Sequence, residues 1–294
     1  MMINFKKLYW DIITIKNYFD VEKRIINVEK VVVYDASKMM DLNIYGDLKT
    51  AKKIVILSHT LSGNSDAFIN AYLAERFYVH GYAVVAFNSP GFRNIITPEP
   101  YTGEKKSQIL LGFVLDNIIK YIRSMNAAAP IITSAFCAGG AGLIYHFATN
   151  KRDIAGVVVI STFYYPLRNK SWLHIPTTID LSLLYARNFF HTCKLKKLIN
   201  LFNIGLDSRR LYRINHNEKT SQQRNNLTNT PIVGLHCVND TIIDINDART
   251  FFKRMNSPYA KLIEFSGVGH SLSYTSIGIC IEQSDILCVS YIQT

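Results

Sequence analysis

The chain of 294 residues is 48% hydrophobic and 19% charged, which excludes a disordered polymer and suits one large α/β domain. No apolar run reaches the ~18–20 residues of a membrane span, and the N-terminus lacks a signal-peptide cleavage site, so we predict no integral membrane segment. The net charge of +11 comes without a nucleic-acid motif or a long Lys/Arg run, so we predict a basic solvated surface and no nucleic-acid partner.

Apolar strand-like runs alternate with helical patterns along most of the chain. The predicted strands cover residues 26–34, 42–45, 53–58, 82–87, 130–135, 154–160, 231–237 and 260–265. The predicted helices cover residues 66–80, 106–125, 138–149, 244–255 and 274–291. Gly81 follows the first helix as its stop signal. This alternation indicates a largely parallel sheet that is covered by helices on both faces.

One region interrupts this alternation. Residues 164–228 are aromatic, basic and irregular, and they end in the polar stretch NHNEKTSQQRNNLTN. We interpret residues 164–228 as a cap inserted into a single domain, whose core consists of residues 1–163 and 229–294. Such a cap is expected to cover a site at one edge of the sheet.

The cysteines and histidines give no metal-binding pattern. The five cysteines are an odd number without a Cys-x-x-Cys pair, which favours a reducing, cytoplasmic compartment over a disulfide framework or a zinc site. Six histidines lack metal-ligand spacing and are interpreted as packing or surface residues: His80, His146, His174, His191, His216 and His236. We therefore predict no metal and no cofactor.

The segment Ser134-Ala-Phe-Cys-Ala-Gly-Gly140 lies between a predicted strand and a predicted helix. A nucleophile on such a sharp turn needs small neighbours two residues before and after it, and Ala135 and Gly139 meet this need. The turn would place Cys137 at a helix N-terminus, where the helix dipole favours a thiolate. Cys137 is therefore the predicted nucleophile, although an isolated cysteine of this kind is more often a small buried hydrophobe.

A nucleophile of this type needs a base and a group that orients the base. Asp240 follows the strand PIVGLHC, and His270 follows the strand KLIEF, in the order nucleophile, acid, base. We predict that Asp240 is the acid and His270 the base. Asp244 and Asp247 are alternative acids that rank lower because they already lie on the predicted helix.

Acyl chemistry also requires two N–H donors that face the developing oxyanion. One is predicted to be the backbone N–H of Ala138, directly after the nucleophile. The other is predicted to be that of Leu61, in the loop after the strand KIVILS. His59, Thr60 and Phe136 are the predicted substrate-binding residues.

Three segments carry a resemblance to a known family. They are His59-x-Leu-Ser-Gly-x-Ser65, GYAVVAFNSPG at 81–91 and PIITSAFCAGG at 130–140. Together they resemble the medium-chain esterase branch of the α/β-hydrolases, which includes embryogenesis-associated and abhydrolase-like proteins. The resemblance covers roughly residues 28–162 and 230–272. It implies the α/β-hydrolase fold, a mostly parallel sheet flanked by helices with a helical cap, and an esterase-type activity.

The sequence departs from this branch at the site itself. Cys137 stands where the branch has serine, Ala135 where glycine is usual, and Thr60 where glycine usually follows the histidine. Pro90-Gly91 replaces an Arg-Gly pair. In its cysteine nucleophile the segment resembles dienelactone hydrolase, with the pattern small-x-Cys-x-Gly-Gly. These departures favour an activated substrate over a plain triglyceride.

A cysteine nucleophile forms a thioester, which passes its acyl group readily to water, amines or thiols. We predict a hydrolase for an activated ester, thioester, lactone or carrier-bound acyl chain, with an acyl carrier protein as the alternative partner to a small-molecule substrate. An acyltransferase and a carbon–carbon bond hydrolase remain alternatives because both use the same three residues. A non-catalytic ligand-binding descendant is the alternative from a different class. The oligomeric state is left open.

Overall fold

A computed structural model of the chain describes most of the predicted α/β core. The described residues are 28–35, 38–58, 68–87, 106–137, 139–140, 143–144, 153–162, 230–240, 243–255, 257–266, 270 and 274–292. The predicted cap, residues 164–228, lies outside them. None of the helices described combines the length and hydropathy that crossing a membrane requires.

The described strands form one eight-stranded sheet in the order β1-β2-β4-β3-β5-β6-β7-β8. The strands are β1 Val28–Asp35, β2 Lys38–Tyr45, β3 Ile54–Ser58, β4 Ala83–Phe87, β5 Ile131–Phe136, β6 Gly156–Ile160, β7 Ile232–Cys237 and β8 Ala260–Phe265. β2 is antiparallel to β1 and to β4, and all other neighbours are parallel. The strands from β3 to β7 are buried along their whole length, as their unbroken apolar runs predict for a sheet covered on both faces.

Helices cover the two faces of this sheet. The longer described helices are α1 Phe68–Val79, α2 Lys106–Met125, α3 Ile245–Met255 and α4 Tyr274–Ile292. Side chains of α1 and α4 share one hydrophobic cluster with the odd positions of β3 and β7, whereas α2 and α3 share a second cluster with the opposite face. The predicted fold, a mostly parallel sheet flanked by helices, is confirmed.

The strand order reverses beside β3, which pairs with β4 on one side and β5 on the other. The chain leaves β3 in one direction through α1 and later reaches β5 through α2, which packs on the opposite face. At such a point the connections diverge and open a crevice beyond the carboxyl ends of the strands. The turn that carries Cys137 begins at this edge, where β5 ends.

The predicted bounds of the strands other than β2, and of helices α1 to α4, agree with the structure to within a few residues; the end of the predicted helix 138–149 lies outside the described residues. β2 begins at Lys38 instead of residue 42, because it pairs along its whole length with β1 in a hairpin that starts at the Asp35–Lys38 pair. The predicted stop after α1 is confirmed at Gly81. Its φ is +82°, its N–H donates to the Tyr78 carbonyl over 2.9 Å, and the next N–H donates to Phe77 over 3.1 Å. This is the helix-ending pattern that a left-handed glycine permits.

One polar cluster joins α4 to residues at the amino-terminal ends of β3 and β4, on the side of the sheet away from the Cys137 turn. The buried Tyr82 hydroxyl donates to Asp285 Oδ1 over 2.5 Å, and Lys53 Nζ lies 2.5 Å from the same oxygen. Replacing Asp285 with alanine leaves the buried hydroxyl without its carboxylate. We expect the free energy of unfolding to fall by about 1–3 kcal/mol. The ion pair itself contributes little because both of its side chains are partly solvent-exposed.

Urea unfolding of a double-mutant cycle with Tyr82→Phe measures this contribution. In the phenylalanine background no hydroxyl is left without a partner, so D285A should be far less costly there. Equal costs in both backgrounds would show that the hydroxyl contact contributes nothing.

Candidate active site

The turn after β5 holds Cys137 in a strained backbone conformation. Its φ is 58°, in the left-handed region that residues other than glycine rarely adopt. Its N–H donates to the Ile160 carbonyl at the end of β6 over 2.8 Å, and its own carbonyl accepts from the Gly140 N–H over 3.2 Å. Gly139 and Gly140 are already helical. The predicted strand–turn–helix around Cys137 is therefore present, and the side chain lies at the helix N-terminus.

The neighbouring strand ends in a second left-handed residue. Ser161, directly after β6, has a φ of 43°, and its N–H donates to the Leu235 carbonyl of β7 over 2.8 Å. Thr162 follows and is fully buried. A Cβ atom added at Gly140 would lie 1.9 Å from Thr162 Oγ1, so the helix can approach β6 this closely only because residue 140 has no side chain.

Replacing Gly140 with alanine should therefore strain the turn. The added methyl group cannot avoid Thr162, and we expect a loss of about 1–3 kcal/mol in the free energy of unfolding, as for other overpacked interiors. Thr162→Ala in the same chain removes the nearest atoms and should recover part of this loss. The control is Gly278→Ala in α4, where a Cβ atom meets nothing within 4 Å. That change should be neutral or stabilising in thermal unfolding. Equal losses for G140A and G278A would contradict the close-approach argument.

The predicted acid and base lie in direct contact. Asp240 Oδ2 is 2.8 Å from His270 Nδ1, and both side chains are almost completely buried. The other carboxylate oxygen, Oδ1, accepts from the Ile243 N–H over 2.9 Å, and the Asp240 N–H donates to the Cys237 carbonyl over 3.1 Å. Hydrogen bonds thus hold both the backbone and the carboxylate of Asp240. The carboxylate in turn orients the imidazole of His270.

The charges of the three groups support each other. Burial lowers the pKa of His270, but the charges of Asp240 and then of Cys137 outweigh it and hold that pKa well above its ordinary value. Burial likewise opposes ionisation of Asp240, but His270 holds the pKa of that carboxyl below its ordinary value. Both shifts favour the charged forms, an imidazolium beside a carboxylate.

Nδ1 is occupied by Asp240, which leaves Nε2 of His270 to face the nucleophile. Cys137 acts on the same imidazole, because its charge and a side-chain hydrogen bond with it both raise the pKa of His270. Contacts between nucleophile and base are often long without substrate and shorten when it binds. The structure therefore brings Asp240 and His270 into direct contact, and Cys137 is near enough to act on the imidazole.

The contacts in the structure distinguish Asp240 from the two alternative acids. Asp244 Oδ1 accepts from the Asn246 N–H over 3.0 Å, so Asp244 caps the start of α3. Asp247 lies in the first turn of the same helix. The carboxylate that accepts the hydrogen bond from His270 Nδ1 is that of Asp240.

Phe136, a predicted substrate-binding residue, packs against the predicted base. Its side chain is fully buried, and its ring centroid lies 5.1 Å from that of His270 at an interplanar angle of 45°. A substrate contact by Phe136 stays a prediction. The other predicted residues lie outside the described part of the chain: His59, Thr60, Leu61 and Ala138.

His236 was interpreted from sequence as an ordinary packing residue. In the structure it is fully buried in β7, and its Nε2 lies 3.2 Å from the Ile243 carbonyl oxygen and 3.6 Å from Asp240 Oδ2. One signal in the sequence points to this position: a histidine inside an apolar strand, four residues before the predicted acid. Alternation along the strand places its side chain on the face opposite Leu235 and Cys237.

The arrangement can perform covalent acyl chemistry. Cys137, Asp240 and His270 follow β5, β7 and β8, so a thiol, a carboxylate and an imidazole come from the carboxyl ends of strands in one parallel part of the sheet. The described part of the site contains no cluster of His, Cys, Asp and Glu that could hold a metal ion.

Comparison with known proteins finds similarity in structure but not in sequence. No protein-family model and no curated protein matches this sequence. A soluble variant of monoglyceride lipase from Saccharomyces cerevisiae, solved with a substrate analogue, matches with a TM-score of 0.68 at 14% identity, over 91% of this chain and 96% of that one. An esterase from Rhodococcus sp. matches with a TM-score of 0.57 at 14% identity, over 90% and 100% of the two chains. The thioesterase domain from the curacin biosynthetic pathway matches with a TM-score of 0.55 at 14% identity, over 91% and 100%.

Proposed function

We propose that this chain, which has the α/β-hydrolase fold, is a hydrolase that attacks an activated acyl substrate with the thiolate of Cys137. The observation that carries the proposal is the 2.8 Å contact between Asp240 and His270, beside a cysteine that a left-handed turn presents at the end of β5. Lipases, an esterase and a thioesterase domain share the fold, which supports ester or thioester hydrolysis.

In the first half of the proposed reaction, the imidazolium of His270 stabilises the thiolate of Cys137. The sulfur attacks the carbonyl carbon, and the oxyanion is held by the backbone N–H groups of Ala138 and Leu61. When the tetrahedral intermediate collapses, the bond to the leaving group breaks and His270 donates its proton to that group. The product of this half is a thioester on Cys137.

In the second half, the neutral imidazole takes a proton from water, and the resulting hydroxide attacks the thioester carbonyl. Collapse of this second intermediate releases the carboxylic acid and restores the thiolate–imidazolium pair. Asp240 holds Nδ1 throughout, so that Nε2 is always the nitrogen that exchanges the proton. No cofactor is required for either half.

The substrate class follows from the thiolate. A thiolate is a good nucleophile but also a good leaving group, so it expels an activated leaving group more easily than a plain alkoxide. The proposed substrates are therefore activated esters, thioesters and lactones, including acyl chains on a carrier protein. The medium-chain esterase branch is the proposed family relationship, and residues 164–228 are the proposed cap that controls the access of water.

The test uses a panel of p-nitrophenyl butyrate, a butyryl thioester of N-acetylcysteamine and a small lactone. Intact-mass spectrometry follows the protein during turnover, and peptide mapping locates the adduct. We expect the acyl mass on Cys137. Cys237→Ala is the matched control, because Cys237 is a fully buried cysteine at the end of β7 and its loss should leave the adduct unchanged.

Two outcomes change the proposal. If no adduct and no turnover appear, and iodoacetamide labels Cys137 no faster than the other cysteines, then the site is a binding site and not a catalytic one. If the adduct forms but is transferred to an added amine or thiol in strong preference to water, then the enzyme is an acyltransferase. If the rate of turnover of a carrier-bound acyl group falls with rising salt concentration, then the carrier protein is the partner. Salt would weaken the attraction of an acidic carrier to this basic protein.

A further inference from the structure

A second buried histidine touches the turn that carries the predicted acid. His236 belongs to β7, and Asp240 is the last residue of the turn that follows this strand. The Nε2 atom of His236 lies 3.2 Å from the Ile243 carbonyl oxygen. The N–H of the same Ile243 donates to Asp240 Oδ1 over 2.9 Å. Both polar groups of Ile243 are therefore held, one by the strand and one by the acid.

This pair of contacts joins Ile243 both to β7 and to the predicted acid. Ile243 itself is buried in the core, so it cannot move without loss of packing. A hydrogen bond to a carbonyl oxygen requires a proton on Nε2 of His236. That N–H is also directed to the neighbourhood of Asp240 Oδ2, which lies 3.6 Å from Nε2.

Asp240 Oδ2 is the oxygen that contacts His270 over 2.8 Å. Two imidazoles therefore face one carboxylate oxygen, but only one of them is close. Burial lowers the pKa of His236 although Asp240 opposes this, whereas at His270 the charge of Asp240 outweighs burial and the pKa is raised. The other groups whose charges act on His236 are His270, Asp244 and, from β8, Glu264.

We infer that His236 is a positioning residue, which holds the turn between β7 and α3 so that Asp240 Oδ2 is directed at Nδ1 of His270. The inference rests on the proposed function, because the positioning matters for the reaction of Cys137. His236 contacts the Ile243 carbonyl and lies 3.6 Å from Asp240 Oδ2, and the proposed route of its effect is through Asp240.

The test compares His236→Phe with His236→Gln. Phenylalanine keeps the ring and removes both nitrogens, whereas the glutamine amide can place an N–H near the former Nε2. The protein is acylated with p-nitrophenyl butyrate, and the loss of the butyryl mass from Cys137 is followed across pH. We expect H236F to slow this deacylation between about 10-fold and 100-fold, as a small misplacement of a reacting group does. H236Q should restore most of the rate.

The pH profile separates positioning from simple stability. A poorly directed Asp240 supports less charge on His270, so the acid limb of the deacylation rate should move to lower pH in H236F and return in H236Q. The downfield proton resonance of His270 Nδ1–H should weaken in the same variant, without any need for turnover. His80→Gln is the control, because His80 is exposed and its Nδ1 lies 2.8 Å from the Arg76 carbonyl oxygen at the end of α1.

The outcomes are distinct. If Cys137 is acylated in the wild type and H236F deacylates with an unchanged rate and pH profile, the inference about His236 is wrong and the proposed function stands. If Cys137 is never acylated, the proposed function is wrong, and an unchanged Nδ1–H resonance in H236F then overturns the inference separately. Should H236F not fold, His236→Asn replaces it, because this amide is too short to reach Ile243 and should behave as H236F.

Discussion

Replacing Cys137 with alanine should lower kcat by a factor on the order of 10⁶, the scale on which hydrolases lose activity with their nucleophile. The covalent route disappears with the sulfur, and what remains is the stabilisation of an oxyanion by backbone N–H groups. The fold should survive, because the methyl group of alanine fits where the side chain of Cys137 is buried. Steady-state hydrolysis of p-nitrophenyl butyrate and thermal unfolding measure both effects on the same sample.

Cys137→Ser tests whether the reaction depends on a thiolate–imidazolium pair. A serine hydroxyl reacts only when a neutral imidazole removes its proton. Asp240 raises the pKa of His270 against the effect of burial, and this reduces the neutral fraction of the imidazole. We expect C137S to fall at least about 100-fold below the wild type at neutral pH, the usual contribution of a general base. Its residual activity should rise with pH as His270 loses its proton. A serine variant more active than the wild type would contradict the thiolate–imidazolium pair.

Asp240→Asn should lower kcat/KM about 10⁴-fold, by analogy with the loss of the buried aspartate in serine hydrolases. Asparagine keeps an oxygen for the Ile243 N–H, so the turn is retained. Its amide presents N–H groups to Nδ1 of His270, which favours the wrong tautomer and removes the charge that supports the imidazolium. Hydrolysis of p-nitrophenyl butyrate measures the loss.

Asp244→Asn is the matched control for this change. Asn246 can still donate to an asparagine oxygen at position 244, so the start of α3 remains capped and activity should stay near the wild-type value. A loss as large as that of D240N would show that Asp244 takes part in the reaction.

Asp240→Asn also tests, through protein stability, whether Asp240 raises the pKa of His270. In the Cys137→Ala background no thiol titrates at this site, and Asp240 is the charge that raises the pKa of His270. The folded state then holds a proton on His270 that the unfolded state loses above about pH 6.5. Stability from this pair is fully present below that pH and is lost as the pH rises above it. His236 contributes little in this window, because burial lowers its pKa in the folded state and the pH already exceeds its ordinary value of about 6.5 in the unfolded state.

Urea unfolding of C137A and of C137A/D240N between neutral and alkaline pH measures this dependence. We expect the decline in stability above about pH 6.5 to be flatter in the double variant. Parallel declines would show that Asp240 does not charge His270.

Local signals in the sequence were enough to predict most of the core. Unbroken apolar runs such as IVILS and GVVVI are buried strands because a sheet covered on both faces has no polar side. Gly81 ends α1 because only a residue without a Cβ atom adopts its φ at no cost. The turn at Cys137 was predictable for a similar reason, since small residues on both sides are required wherever a nucleophile adopts a left-handed φ.

Other features depend on residues that are far apart in the chain. The sequence left Asp240, Asp244 and Asp247 as possible acids, and only the packing of residue 270 against the turn after β7 distinguishes them, because hydrogen-bond distance is a tertiary property. The role of Gly140 depends on Thr162 in the same way, and the length of β2 depends on its pairing with β1.

His236 shows most clearly what the sequence pattern does not predict. Its own neighbours in sequence mark it as a residue of a buried strand, which is correct, and nothing in that pattern says what its ring will contact. The contact with the Ile243 carbonyl exists because the chain turns back over the end of β7 before α3 begins. Sequence patterns determine helices and strands through periodicity and local backbone preference. The partners of a buried polar group depend instead on which distant segment of the chain packs over it.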